Sequence, residues 1–387
     1  MRKSAFPPMP GRPRKGFSLI ELMIAVFLGA LVVAGLINVL MANRQAYRLQ
    51  EAANFNQQNM RFAQDRIGWS LRMASFWGGV DSTSITGAPA VTATGNCNGA
   101  WVLNVNQPVY GYDGSTGMPT DLTGCVDNAN YVNGSDILIL RYANMDAMPV
   151  TGASAALSDG GIYLISRAGM SGLLFAGDGS ANRPQVLPFY DSGNLQQGTY
   201  TYPYQVEMYY LRPCSDPGAG GICNAGSDGG NPIPTLMRLR LDGSGALVSE
   251  PVVEGVEQLQ FEYGLRDPAD PNHSTTPVKY EDATDMAVGD WPNVVSVRVG
   301  YVLRSQTRDT RLPHFFDTHS GADPAGDPDN YQKRLSSDCR YQVSAAGVID
   351  VSACPNFLAT GVGTAGQAQQ FLRTEMTSVV QVRNNVR

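Results

Sequence analysis

Glu21 is the residue whose chemistry is least at home in its surroundings. It lies five positions into residues 17–41 (FSLIELMIAVFLGALVVAGLINVLM), a 25-residue run with no other charge. As a helix the run would span ~37 Å, more than the ~30 Å hydrocarbon core of a bilayer. A carboxylate at mid-bilayer costs ~2.5–3.5 kcal/mol on insertion scales and less near the helix start. Such a charge is relieved by snorkelling to the interface or by a complementary charge that arrives beside it. The junction just before it is equally distinctive. Residues 1–16 hold Arg2, Lys3, Arg12, Arg14 and Lys15 and no acid, end in Lys15-Gly16, and give way directly to Phe17. The basic leader should stay cytoplasmic, placing residues 42–387 across the membrane. The run is too long for a secretory h-region, and no A-x-A cleavage site follows it.

Six cysteines come next in chemical interest: Cys97, Cys125, Cys214, Cys223, Cys339 and Cys354, none in a C-x-x-C. An even count in a translocated domain reads as disulfides, with 15 pairings open. Sequential neighbours are favoured (97–125, 214–223 and 339–354) because each pair brackets a Gly/Asn/Asp-rich loop. Each closure is worth roughly 3 kcal/mol in the chain-entropy model, less strain. Free buried thiols are the alternative.

No other residue set has the spacing of a reactive or metal-binding site. His314 and His319 lie at an undiagnostic i,i+5 spacing, and Asp323, Asp327 and Asp329 do not have the offsets of an EF-hand loop. No nucleophile elbow, zincin, P-loop or dinucleotide motif stands in a supporting context. The expectation is therefore no catalytic residue, no metal and no cofactor. Without the five leader cations, the 28 Lys+Arg fall to 23 against 34 Asp+Glu, a net charge of −11. Nucleic acid is not an expected partner for so acidic a body.

The elements that must carry these residues follow from periodicity. An apolar fraction of 43% and a charged fraction of 16% describe a globular chain. Over residues 42–77, Ala42, Ala46, Leu49, Ala53, Met60, Ala63, Ile67, Leu71 and Ala74 form a 3.5-residue stripe broken by Asn56. With proline absent from 17 to 77, one helix of ~60 residues is expected, stopping at Gly78-Gly79. Beyond it the texture is β-rich. Residues 136–142 and 161–165 read as buried strands, and 204–211 and 236–241 as half-exposed antiparallel ones with a turn at Asp242-Gly243. Residues 79–100, 111–130, 214–234 and 320–330 read as loops. The fold class is α+β: one long N-terminal helix, membrane-spanning in its first half, packed against an antiparallel β-rich head at 78–387.

The stretch Gly16-Phe17-Ser18-Leu19-Ile20-Glu21-Leu22 resembles the leader motif of type IV pilins and pseudopilins. Residues 252–264, 291–305 and 379–384 resemble PilW-type minor pilins, relatives of the J-type minor pseudopilins of type II secretion. The resemblance is weak from about residue 80 to 200. It implies a 1–16 leader cleaved after Gly16 by a prepilin peptidase and N-methylation of the new Phe17 amine. It gives Glu21 the role of neutralising that amine on a neighbouring subunit. It further implies an inner-membrane protein with a periplasmic head. Such a protein joins other minor pilins and the major pilin to prime a type IV pilus, near the tip, and is not expected to be an enzyme. The alternatives are a minor pseudopilin of type II secretion and a tip adhesin or other binding module.

Overall fold

The structure, a computed structural model, describes residues 16, 18–91, 97, 99–114, 117–145, 156–224, 226–270, 275–306, 342–343, 349–350 and 371–384. The chain forms two compact units that meet between Glu51 and Ala52. Helix α1 (Leu19–Met73) supplies the described regular structure of the first unit and opens the second.

In the first unit every described residue from 18 to 44 is exposed. Its best 18-residue window reaches a mean hydropathy of 2.6, so by length and composition this stretch can cross a membrane. A helix that is apolar all round and unburied calls for lipid or another chain as solvent.

The expected stripe is buried only from Met60 on: Met60, Ala63, Ile67, Leu71 and Ala74 all sit in one core cluster, whereas Leu49 and Ala53 are half-buried and Ala42 and Ala46 exposed. Asn56, read from sequence as a break in the stripe, is instead fully buried on it. Its amide nitrogen donates to the Leu372 carbonyl and to Thr374 Oγ1, both at 3.3 Å. The helix also ends at Met73, short of Trp77. Ser75 takes a left-handed conformation (φ 65°), and its N–H donates to the Arg141 carbonyl at 3.1 Å. Phe76 then accepts from the Ala143 N–H at 2.7 Å. The chain leaves the helix because an adjacent strand offers hydrogen bonds that a further helical turn would forgo.

The described head contains β1 (Ile85–Thr86), a short helix α2 (Gly99–Val102), β2 (Val109–Tyr112), β3 (Ile137–Ala143), β4 (Ile162–Arg167) and β5 (Ser171–Ala176). There follow β6 (Tyr190–Asp191), β7 (Asn194–Leu195), β8 (Thr199–Arg212), β9 (Thr235–Leu241), β10 (Leu247–Glu254) and β11 (Val256–Leu265). Last come β12 (Lys279–Glu281), β13 (Val294–Arg304), β14 (Gln342–Val343), β15 (Ile349–Asp350) and β16 (Arg373–Gln381). One sheet has eight strands in the order β1-β5-β4-β8-β3-β2, with β9 on β8 and β10 on β9. A second has four, β12-β11-β13-β16, all antiparallel. The β1–β5 pair is parallel.

Residues 204–211 and 236–241 are not half-exposed, because the eight-stranded sheet is covered on both faces. Tyr209, Leu211 and Leu236 join the cluster that contains the helix stripe and the second sheet. Met208, Tyr210, Met237 and Leu239 join a second cluster with Trp77, Trp101 and Val126. The alternation was real, but both halves of it face protein.

The run 252–264, read as one segment, is two strands in two different sheets. Gly255 separates β10 from β11 with φ at 85°, a left-handed conformation that favours glycine. A Cβ there would come 2.8 Å from the Arg304 carbonyl oxygen.

The loop after β8 is organised by Asp228. Its carboxylate accepts from the Ser215 N–H (2.9 Å) and hydroxyl (2.7 Å) and from the Asp216 and Ile233 N–H groups (both 2.7 Å). Burial alone would raise this carboxyl, but these hydrogen bonds prevail and hold it below the usual aspartate range. A depressed carboxylate stabilises the fold above its unfolded-state value, and the contribution is lost as pH falls through the lower folded value. Asp228→Ala should cost about 1–3 kcal/mol. It should also flatten the acid limb of the stability profile, as urea denaturation between neutral and strongly acidic pH would register.

Candidate functional site

The N-terminal end of α1 carries Glu21, four residues after the junction at Gly16-Phe17. Gly16 is exposed, Phe17 lies outside the described residues, and Glu21 occupies the first turn. Ser18 is the N-cap. Its hydroxyl accepts from the Ile20 N–H at 3.3 Å, its carbonyl from the Leu22 N–H at 3.1 Å, and its own N–H donates to Glu21 Oε2 at 2.9 Å. This is a variant of the capping box: Glu21, three residues on, accepts from the N-cap N–H, while the serine hydroxyl satisfies the Ile20 N–H rather than that of Glu21. The S-x-x-E spacing of Ser18-Leu19-Ile20-Glu21 is the sequence signal for such a cap. An anion in the first turn also complements the positive end of the helix dipole.

At its other end α1 is held by the far end of the chain. Asn384 Nδ2 donates to the Arg72 carbonyl at 2.9 Å and lies 3.5 and 3.4 Å from those of Met73 and Ala74. These are orphan carbonyls of a helix C-terminus, here capped by a side chain from beyond β16. Val380 and Val382 are buried in the same cluster as the helix stripe. With the Asn56 bonds to Leu372 and Thr374, residues 372–384 fasten α1 at both ends of its buried stretch.

Two buried charge clusters complete the seat. Glu207 on β8 accepts from Arg238 Nη1 (2.6 Å), Arg66 Nη2 (3.3 Å), Ser70 Oγ (2.5 Å) and the Tyr209 hydroxyl (2.9 Å). Burial first, and then the Glu207 charge, push the Tyr209 and Tyr142 phenols well above their ordinary value, so both stay protonated. Glu257 on β11 receives Arg373 in a two-pronged pair, Nε to Oε2 at 2.5 Å and Nη2 to Oε1 at 2.9 Å. Arg304 Nη1 lies 4.0 Å from the same carboxylate, its guanidinium 4.3 Å over the Phe371 ring. Nothing in the local sequence marked Glu207 or Glu257, since their arginine partners are remote in the chain.

Cys97 is bonded to Cys125 and Cys214 to Cys223, with Cα separations of 4.8 and 5.7 Å. Cys339 and Cys354 lie outside the described residues, as do His314, His319, Asp323, Asp327 and Asp329. Among the described residues no group of three or more His, Cys, Asp or Glu side chains is placed to hold a metal ion.

Comparison with known proteins bears on both ends of the chain. Residues 223–384 match the family described as PilW, type IV pilus-assembly protein W, and residues 11–37 match the prokaryotic N-terminal methylation motif. Among solved structures, a type IV-like pilin from Thermus thermophilus aligns with 11% identity and a TM-score of 0.30, covering 86% of this chain and 97% of its own. No curated protein matches. The PilW region takes in β9 to β16, and so contains Arg238, Glu257, Arg304, Arg373 and Asn384.

Proposed function

We propose that this PilW-type, pilin-like chain acts as a minor pilin that helps initiate a type IV pilus and enters the filament at low copy near its tip. The observation that carries the reading is the capped carboxylate of Glu21 at the start of an exposed apolar helix, directly behind a methylation motif. In this reading a prepilin peptidase cuts after Gly16, and the new Phe17 amine is methylated. Glu21 then pairs with the amine of an adjacent subunit. Its Oε2 is engaged by Ser18, which leaves Oε1 for that partner. Pairing relieves a charge that lipid disfavours, so subunits bundle through their helices.

The chain waits in the inner membrane with its head in the periplasm, where a third disulfide between Cys339 and Cys354 would form with the other two. Its partners are other minor pilins and the major pilin. Its role is structural rather than catalytic, and it takes no cofactor.

Mass spectrometry of sheared pili, with and without the prepilin peptidase, tests the reading. The expected species begins at methylated Phe17 and is present in the filament fraction only when the peptidase is active. Glu21→Ala should reduce piliation without lowering the amount of membrane-inserted protein. Normal piliation in that variant would remove the charge-pairing role. Detection of the chain with a secretion apparatus instead of a pilus would move it to the type II secretion pseudopilins.

A further inference from the structure

The head contains a concavity of 470 Å³ on the face of the large sheet away from α1, enclosed by α2, β2, β3 and the turn at 120–121. We infer that it binds a carboxylated sugar, a uronic acid residue of a glycan, with Arg141 as the anion-binding group. This site is separate from the assembly role and does not depend on it.

Arg141 is the observation that points to an anion. It lies on β3 and is only 1% exposed, yet it lines the concavity. Its Nε donates to the Trp101 carbonyl at 2.8 Å and its Nη1 to the Gln107 carbonyl. No carboxylate lies within ion-pairing distance of it among the described residues. Buried Arg238 and Arg373, by contrast, each hold a glutamate. A guanidinium out of water is costly unless a counter-charge accompanies it. Burial accordingly lowers its pKa from the ordinary arginine value. Two carbonyl dipoles meet part of its demand, and an open concavity beside it is where an external anion can meet the rest.

The surroundings narrow the class of anion. Asp121 stands at the exposed rim, its Oδ2 accepting from the Tyr112 hydroxyl at 2.9 Å. A second carboxylate in the site disfavours a dianion such as phosphate, but it can accept hydrogen bonds from ligand hydroxyls. The half-exposed Tyr110 and Tyr112 rings meet edge to face at 5.0 Å, and Trp101 adds a third aromatic wall. A sugar ring offers an apolar C–H face to such rings and hydroxyls to the polar groups between them. A uronic acid adds the single carboxylate that Arg141 requires.

The walls are also fixed in advance. The Cys97–Cys125 disulfide joins the two segments that frame the site, and the Tyr204 hydroxyl donates to the Val102 carbonyl at 2.5 Å. A preorganised pocket gives up less conformational freedom when a ligand enters.

The test is calorimetric titration of the full chain in detergent with an oligogalacturonide, beside neutral glucose oligomers, glutamate and inorganic phosphate. Saturable binding of the oligogalacturonide alone is expected. Asp121→Ala, at the exposed rim, should weaken it roughly tenfold, and Arg141→Lys, which keeps the charge but loses the planar fork, by tenfold or more. If Arg141→Lys fails to fold, Asp121→Ala and Tyr112→Phe still decide the matter. No binding, equal binding of the neutral oligomer, or binding of glutamate or phosphate in its place overturns the assignment. So does binding that Asp121→Ala and Tyr112→Phe leave unchanged.

Discussion

Glu257→Ala lowers the stability of the head by about 3–5 kcal/mol, the range for breaking a buried ion pair from one side. The Glu257 side chain is 0% exposed and that of Arg373 7%. Alanine removes the carboxylate that Arg373 grips with two N–H groups and that Arg304 approaches at 4.0 Å. Two guanidinium groups then share a dry site without their common anion. Arg373 is the first residue of β16, so the loss should be felt most where that strand joins β13. Denaturation of the detergent-solubilised variant checks the magnitude. Hydrogen exchange should show the β16 amides losing protection before those of β8 and β9. Glu257→Gln keeps the shape and one acceptor, and should fall between the two. A loss below 1 kcal/mol in the alanine variant would mean that the pair contributes nothing net.

Glu207→Ala should come second, at roughly 3 kcal/mol, near the lower end of the same range. The carboxylate is just as buried, with four partners, but its removal strands less charge. Arg238 retains Glu250, 2.8 Å from its Nε, and the Arg66 side chain is 33% exposed and can turn to water. What is lost is the carboxylate that Ser70 and Tyr209 share, and with it one polar link between α1 and β8; Ser70 Oγ keeps the Arg66 carbonyl at 3.2 Å and the Tyr209 hydroxyl at 2.9 Å. Double-mutant cycles isolate that link. Ser70→Ala combined with Glu207→Ala should be clearly sub-additive, since both remove the same bond. Simple additivity would show that the helix and the sheet are coupled by packing alone.

What could be read from the sequence was local. The 3.5-residue spacing of Met60, Ala63, Ile67 and Leu71 is a geometric consequence of the helix, so it announced its buried face. Asn56 was misjudged because a polar residue in an apolar stripe looks like an interruption. Its acceptors lie 316 and 318 residues away, and no pattern in residues 42–77 could reveal them. The strand positions around β3, β4, β8 and β9 were legible from β-branched and aromatic content. Which faces were covered was not, because alternation reports two faces and not what lies against them. Gly255 lay in plain view within 252–264, but a glycine between two apolar runs does not say that they belong to different sheets. The Arg141 concavity was the least accessible of all. Ala100, Tyr112, Thr120 and Asp121 come from segments expected as loops, Trp101, Asn104, Gln107 and Tyr110 from a stretch with no element assigned, and the charged floor from an expected buried strand.

The fastening of α1 by residues 372–384 has a consequence for how the protein is made. Synthesis at ~5–20 residues per second separates Asn56 from Leu372, 316 positions on, by roughly 15–60 s. Throughout that interval the stripe from Met60 to Ala74 exists but its closing partner does not. The ordering cost of joining such distant segments falls late, when the final strand arrives. The newly made head thus has a waiting period in which the amphipathic half of α1 lies open. Until the last strand is delivered, that apolar face is open to transient contacts with other surfaces.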